Sequence, residues 1–374
     1  MGSFREMKVI KDSSSDINFL IQMKSSLTVL EFETLSSFHF SNYLKNKKII
    51  PAILNNGNYT YELSIIWKME NEAWFTNPLQ YFLSHARNAF KNNRSEFIES
   101  IESYYPTVHE SLENYHDTCF LYNGNHGLQN REIARNYFRM MGGIIESTHY
   151  LLLRFVYNTL TFSNKSEIFK KDKNISIGKI VSDLINIEHF NFLLKENLNN
   201  IPLNQWRNIS QHSSYRYDSK RGEVICTYGK NSSINIKLND LENLIIKLNT
   251  LQQWLKICFE FTCLEFIDSI KLPPKILKVS NESLLSQLGN ILPLNGYSIL
   301  DVNKILDHWT IKIKDNNGLG IEGFKNSLEL FSPILKGFYL NKVKLTIELF
   351  NINEESIQKL YLESKIRTDI YQLK

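Results

Sequence analysis

Arg207, Asn208 and His212 stand close together in the stretch Leu203-Asn204-Gln205-Trp206-Arg207-Asn208-Ile209-Ser210-Gln211-His212. An arginine offers a planar fork of donors that stays charged at any working pH and fits the oxygens of a phosphate. A histidine takes up or gives away a proton near neutrality. A side-chain amide between them can donate to an oxyanion or orient the imidazole. Together, these residue types suit chemistry in which negative charge grows on oxygen while a proton moves.

Something must hold the three on one surface. Pro202 suits the first turn of a helix, where its missing N–H costs nothing, and the following nine residues contain no Gly or Pro. At roughly 100° per residue, Asn204, Arg207, Asn208, Gln211 and His212 fall within an arc of about 140°. Leu203, Trp206, Ile209, Ser210 and Ser213 occupy the other side. Arg207 and His212 lie at opposite edges of the polar arc, too far apart for one small group unless the helix frays. A second copy of the helix facing the first resolves the difficulty. The plainer alternative is a solvated helix face.

The flanking elements follow from periodicity. Residues 131–162 form the longest helical pattern, with Ile133, Tyr137, Met140, Met141, Ile144, Ile145, Thr148, Leu151, Leu152, Phe155 and Leu160 as its core stripe. Gly142 and Gly143 within it permit close approach of another helix. Glu146, His149 and Arg154 sit off the stripe. Residues 163–174 read as a loop and 175–200 as a helix leading into the Pro202 segment. Beyond His212 the pattern changes to a β-hairpin, Tyr215–Asp218 and Glu223–Tyr228 joined by Ser219-Lys220-Arg221-Gly222, followed by a turn into Ile234-Asn235-Ile236. A long amphipathic helix runs from Leu238 to about Ile270.

The Arg-Asn-x-x-x-His spacing of Arg207, Asn208 and His212, carried on a helix between a long helical region and a hairpin with a closing helix, resembles the motif of HEPN domains. Over residues 108–270 the resemblance implies a four-helix bundle and a metal-independent endoribonuclease that works as a dimer and uses no cofactor. It implies His212 as acid or base, Arg207 as phosphate stabiliser and Asn208 as support, with Glu146 facing the motif. Gln211, Tyr215 and Tyr217 join the substrate surface, and Arg216, Lys220 and Arg221 either guide the RNA backbone or form a solvated turn. Such nucleases are commonly toxins or abortive-infection effectors, with an antitoxin or sensor as possible partner. Two rival readings are a HEPN-like binding or scaffold module and a toxin partner of a nucleotidyltransferase antitoxin acting on Tyr215 and Tyr217. A third is an unrelated helical interaction protein.

Composition bounds these readings. The chain has 374 residues and 43.9 kDa, enough for two or three domains. Its formal charge of +4 provides no global basic field, so contact with RNA requires local patches. Cys119, Cys226, Cys258 and Cys263 lack zinc-finger spacing and are expected as free thiols in a reducing cytoplasm. No stretch reads as a membrane span or signal peptide, and Met1-Gly2-Ser3 lacks the Ser or Thr that a myristoylation site needs at position 6.

The expected organisation is predominantly α. A mixed α/β region covers residues 1–105, a HEPN-like bundle with its small β-hairpin insertion 106–270, and an α+β domain 275–374. In the first region, strands are expected near residues 29–33 and 59–67 around the turn Asn55-Asn56-Gly57-Asn58. Helix follows from Asn77-Pro78, with His85, Arg87, Asn88 and Arg94 on a basic face. Tyr104-Tyr105-Pro106 reads as a break. The helix after it carries His109, Glu110, Glu113, His116 and Asp117, two His and two acids close enough for a metal but without the matching second cluster a metal site needs, and 122–127 reads as a connector. Beyond Pro273-Pro274, helices are expected at 281–292, 324–335 and 354–365, with strands at 308–314 and 339–350. His308 and Trp309 are expected to pack.

Overall fold

A computed structural model describes residues 29–51, 53, 60–120, 128–163, 175–271, 281, 284, 285, 288, 289, 292 and 296–362. The chain divides into two compact units between residues 272 and 273. The first is helical: α1 (Val29–Tyr43), α2 (Thr60–Lys68), α3 (Ala73–Asn92), α4 (Arg94–Phe120), α5 (Asn130–Ile144), a π turn (Ile145–His149), α6 (Tyr150–Ser163), α7 (Ile177–Ile185), α8 (Glu188–Leu194) and α9 (Leu203–Gln211). A three-stranded antiparallel sheet follows, β1 (Tyr215–Asp218), β2 (Glu223–Tyr228) and β3 (Ser232–Lys237), and then α10 (Leu238–Glu265).

Helix α10 is the axis of this unit, packing against α3, α5 and α6. It buries side chains around most of its circumference, among them Leu244, Leu248, Leu251, Trp254, Leu255, Phe259 and Phe261, as a central helix must. The same core takes in Phe40 and Tyr43 of α1, Ile65 and Ile66 of α2, and Trp206 and Ile209 of α9, so the N-terminal and later helices share one hydrophobic interior.

Several elements differ from the sequence reading. Residues expected as N-terminal strands lie in α1 and α2; the buried set Ser36, His39, Phe40, Tyr43 and Leu44 repeats at steps of three and four, and this period outweighs local β-branched density. The turn expected at 55–58 and the connector at 122–127 fall outside the described residues. Helix α4 runs through Pro106, because Ile101 and Val108 on either side are buried in the core and packing holds the helix across the lost hydrogen bond. The 175–200 helix is interrupted after Ile185, where Ile187 takes an extended conformation and caps α8. The expected basic face is used structurally and spans two helices: Arg87 of α3 pairs with Glu265 at 2.8 Å, and Arg94, at the start of α4, lies 4.9 Å over the Phe90 ring.

The second unit has a four-stranded sheet in the order β4 (Tyr297–Ile305), β5 (His308–Asp315), β6 (Lys344–Phe350) and β7 (Ser356–Leu362). β5 and β6 are parallel, connected through α11 (Gly320–Leu340), and the outer pairs are antiparallel. Trp309, Ile311 and Ile313 alternate into a core shared with Phe324, Phe331 and Phe338 of α11. Thus Trp309 packs as expected, His308 is exposed with its Nε2 2.8 Å from Thr346 Oγ1, and residues 356–362 form an edge strand instead of a helix. Pairing with β6 decides it, including the Lys359–Glu348 ion pair at 2.6 Å.

Candidate active site

The motif helix is fixed by its apolar side. Leu203, Trp206 and Ile209 are fully buried, and the Trp206 indole N–H donates to the Leu198 carbonyl at 3.0 Å. Burying these three side chains contributes roughly 1.5–3 kcal/mol each. The opposite side, Arg207, Asn208, Gln211 and His212, is left half-buried or exposed.

The end of α9 decides where His212 points. Its backbone N–H donates to the Asn208 carbonyl at 3.0 Å, while Ser213 turns into the left-handed region at φ 51° and the Ser214 N–H returns to the Ile209 carbonyl at 3.0 Å. This is a Schellman cap with serine where glycine is usual. It stops the helix at Gln211, with His212 as its exposed C-terminal cap residue. Its imidazole has no hydrogen bond or ion pair among the described residues. The Ser214 carbonyl then accepts from the Thr227 N–H at 2.8 Å, tying the cap to β2. The Gly229 N–H donates to Gln205 Oε1 at 3.2 Å, fastening the next turn to the same helix.

Helix α5 supplies the facing wall. A Cβ placed on Gly142 would lie 3.1 Å from Gln211 Nε2 and 3.3 Å from Ser210 Cβ, so the missing side chain is what lets α5 and α9 approach. One turn further, the π turn carries Glu146, whose Oε1 accepts from Arg207 Nε. Arg207 Nη1 also donates to Asn208 Oδ1 at 3.3 Å. The ion-paired side chains remain about one-third exposed, 31% for Arg207 and 34% for Glu146. The guanidinium is therefore oriented along one edge with its other donors directed away from Glu146.

The wider π turn rotates the side chains at its end, and His149, expected off the core stripe, is completely buried. Its Nε2 meets the Leu248 carbonyl at 3.1 Å, and burial pulls its pKa down to about 3. It is a neutral core histidine.

The remaining expected residues divide into two groups. Tyr215 stacks on Phe138 of α5, ring centroids 3.9 Å apart and planes at 16°, and burial raises its pKa against the opposing pull of Arg135 and Arg139. The Tyr217 hydroxyl accepts from Asn130 Nδ2 at 3.2 Å. Both tyrosines therefore line α5, Tyr215 along its middle and Tyr217 at its N-terminal end. Arg216 is exposed on the other side of β1, and Lys220 and Arg221 lie in the hairpin turn, where their backbone N–H groups donate to Asp218 Oδ1. The structure does not bring those three side chains to Arg207 by any hydrogen bond or ion pair among the described residues.

No known protein family, curated protein or solved structure matches this chain.

Among the described residues no group of His, Cys, Asp or Glu is assembled to hold a metal ion. The His109 ring lies tilted against Tyr105, centroids 4.5 Å apart, with its pKa lowered by burial, and the Glu113, His116 and Asp117 side chains lie outside the described set. Cys226, Cys258 and Cys263 are free and buried, where desolvation keeps them as thiols. No described helix is long and apolar enough to cross a membrane. Two features had no sequence flag: the π turn that delivers Glu146, and Arg135 and Arg139 beside Tyr215, whose signal was a plain four-residue arginine step.

Proposed function

We propose that this chain is a HEPN-type, metal-independent endoribonuclease acting as a homodimer. The observation that carries the reading is the grouping at one end of α9: Arg207 oriented by Glu146, with Asn208 beside it and an unengaged His212 at the helix end. An oriented guanidinium and a proton-transfer group are the two things phosphodiester cleavage by a neighbouring hydroxyl requires.

In the proposed reaction, one His212 takes the proton of the ribose 2′-OH as its oxygen attacks the adjacent phosphorus. Arg207 donors meet the charge that builds on the non-bridging oxygens. The bond to the 5′-oxygen breaks, and a second imidazole protonates that oxygen. The products are a 2′,3′-cyclic phosphate and a 5′-hydroxyl. Proton transfer of this kind contributes on the order of 10²–10⁴ in rate, and one oriented donor to the developing oxyanion about 10²–10³. Two copies of α9 facing each other supply both imidazoles. In this setting the protein acts as a toxin or anti-phage effector, with RNA as substrate and an antitoxin or sensor as controlling partner.

Tyr215 and Tyr217 are less suited as modification targets, since one is stacked on Phe138 and the other holds an amide. The test is incubation of the purified chain with total RNA and tRNA in EDTA, beside His212→Ala and Arg207→Ala. Cleavage by the unmodified chain alone supports the reading. A folded dimer that leaves all RNA intact contradicts it.

A further inference from the structure

Helix α5 carries Arg131, Arg135 and Arg139 at successive steps of four, all exposed. At 1.5 Å rise per residue the row extends about 12 Å along the helix, and at about 100° per residue the three occupy an arc of roughly 80°. Gly142, the point of contact with Ser210 and Gln211 of the motif helix, falls within the same arc. The row therefore leads along one helix face to the residues next to His212.

Local electrostatics do not favour this placement. Like charges at i,i+4 on a helix repel by about 0.2–0.5 kcal/mol per pair, and Arg131 in the first turn also faces the positive end of the helix dipole. None of the three has an ion-pair partner among the described residues. The one acid in this stretch, Glu132, has its carboxylate turned back to the Gln129 N–H in a capping box. In a chain whose net charge is only +4, this is a concentrated, uncompensated row. Beside it lie the Tyr215 ring, under the influence of both Arg135 and Arg139, and the Asn130–Tyr217 hydrogen bond.

We infer that the Arg131–Arg135–Arg139 face of α5 is a binding track for the phosphate backbone of single-stranded RNA, leading the strand to His212 and Arg207. Guanidinium forks at steps of about 6 Å meet successive phosphates bidentately, and Tyr215 and Tyr217 add polar, aromatic edges along the same path. The choice of RNA as the polyanion rests on the ribonuclease reading above; the basic face itself does not.

The test uses the full chain carrying His212→Ala, so that RNA stays whole, and a fluorescein-labelled single-stranded RNA of about twenty nucleotides. Binding is followed by anisotropy across a potassium chloride series. Replacing Arg131, Arg135 and Arg139 together by Gln is expected to weaken binding roughly tenfold or more at physiological salt. It should also reduce the slope of log K against log salt by about 2, from about 0.7 per phosphate contact. A charge-matched control, Lys47, Lys48 and Lys91 to Gln, should retain most of the affinity and slope. Equal affinity and slope in the two triple variants overturns the track, as does a parent that binds no RNA, or one that shows arginine-dependent binding only to anionic lipid vesicles. Parallel cleavage by the unmodified chain separates the two ideas. Arginine-dependent binding without cleavage keeps the track and refutes the nuclease, whereas cleavage with binding indifferent to these arginines does the reverse.

Discussion

Removing Glu146 separates positioning from folding. The Glu146–Arg207 pair is one-third exposed on both sides, so its contribution to stability is at most about 1 kcal/mol. For a unit of this size that corresponds to a Tm loss of about 2–4 °C. The catalytic consequence is larger. Glu146 occupies Arg207 Nε and Asn208 takes Nη1, which leaves the other donors for a phosphate in the proposed reaction. Without the carboxylate the guanidinium is free to swing, and cleavage is expected to fall about tenfold, a fraction of the 10²–10³ that an oriented oxyanion donor supplies. Glu146→Gln keeps an acceptor for Nε and should fall between Glu146→Ala and the unmodified chain. Arg207→Lys loses the fork and should lose about as much as Arg207→Ala. The assay is initial rate on a labelled RNA in EDTA, with Tm recorded for each variant. Adding Glu146→Ala to Arg207→Ala should cost nothing further, because the two act as a unit. An unmodified or faster rate for Glu146→Ala, with Arg207→Ala inactive, refutes the positioning role and makes Glu146 a competitor of the phosphate.

Three further outcomes rest on the packing. Ser213→Gly relieves a left-handed serine at the end of α9 and should raise stability by about 1 kcal/mol in urea unfolding, with no loss if the cap is as described. His149 is buried neutral with its pKa at about 3, whereas an unfolded histidine takes up a proton below about 6.5; the stability it confers is present above that pH and lost as pH falls. His149→Gln should therefore flatten the decline in unfolding free energy between pH 6.5 and 4 by up to about 1.4 kcal/mol per unit, measured as the difference between the two proteins. Lys256 Nζ sits 2.6 Å from Glu62 and 3.5 Å from Glu260, and burial together with the Glu62 carboxylate pushes the Glu260 carboxyl up. Lys256→Met leaves the buried Glu62 carboxylate facing Glu260 without its cation and should cost about 3 kcal/mol, with partial recovery when Glu62 and Glu260 are also made Gln.

What was legible in the sequence was whatever local pattern determines. Trp206 and Ile209 faced the core because a nine-residue helix with one apolar side has few other options, and the Tyr215 hairpin followed from its turn. Gly142 marked the helix contact because nothing but a close approach explains it there. Features set by tertiary context were hidden. The π turn that pairs Glu146 with Arg207 and buries His149 has no composition of its own. The strand at Ser356–Leu362 exists only because β6 offers it an edge, and α1 and α2 are helices because their buried residues meet a common core. The end of α9 just after His212 depended on a left-handed serine at 213, which sequence does not announce as a glycine would.

The most direct measurement of the central claim is cleavage, in EDTA, of a short RNA and of the same RNA carrying 2′-O-methyl groups. The unmodified chain should cut only the first, leaving cyclic phosphate ends, and His212→Ala should cut neither. Cleavage of both substrates, or of neither by a folded dimer, contradicts that claim.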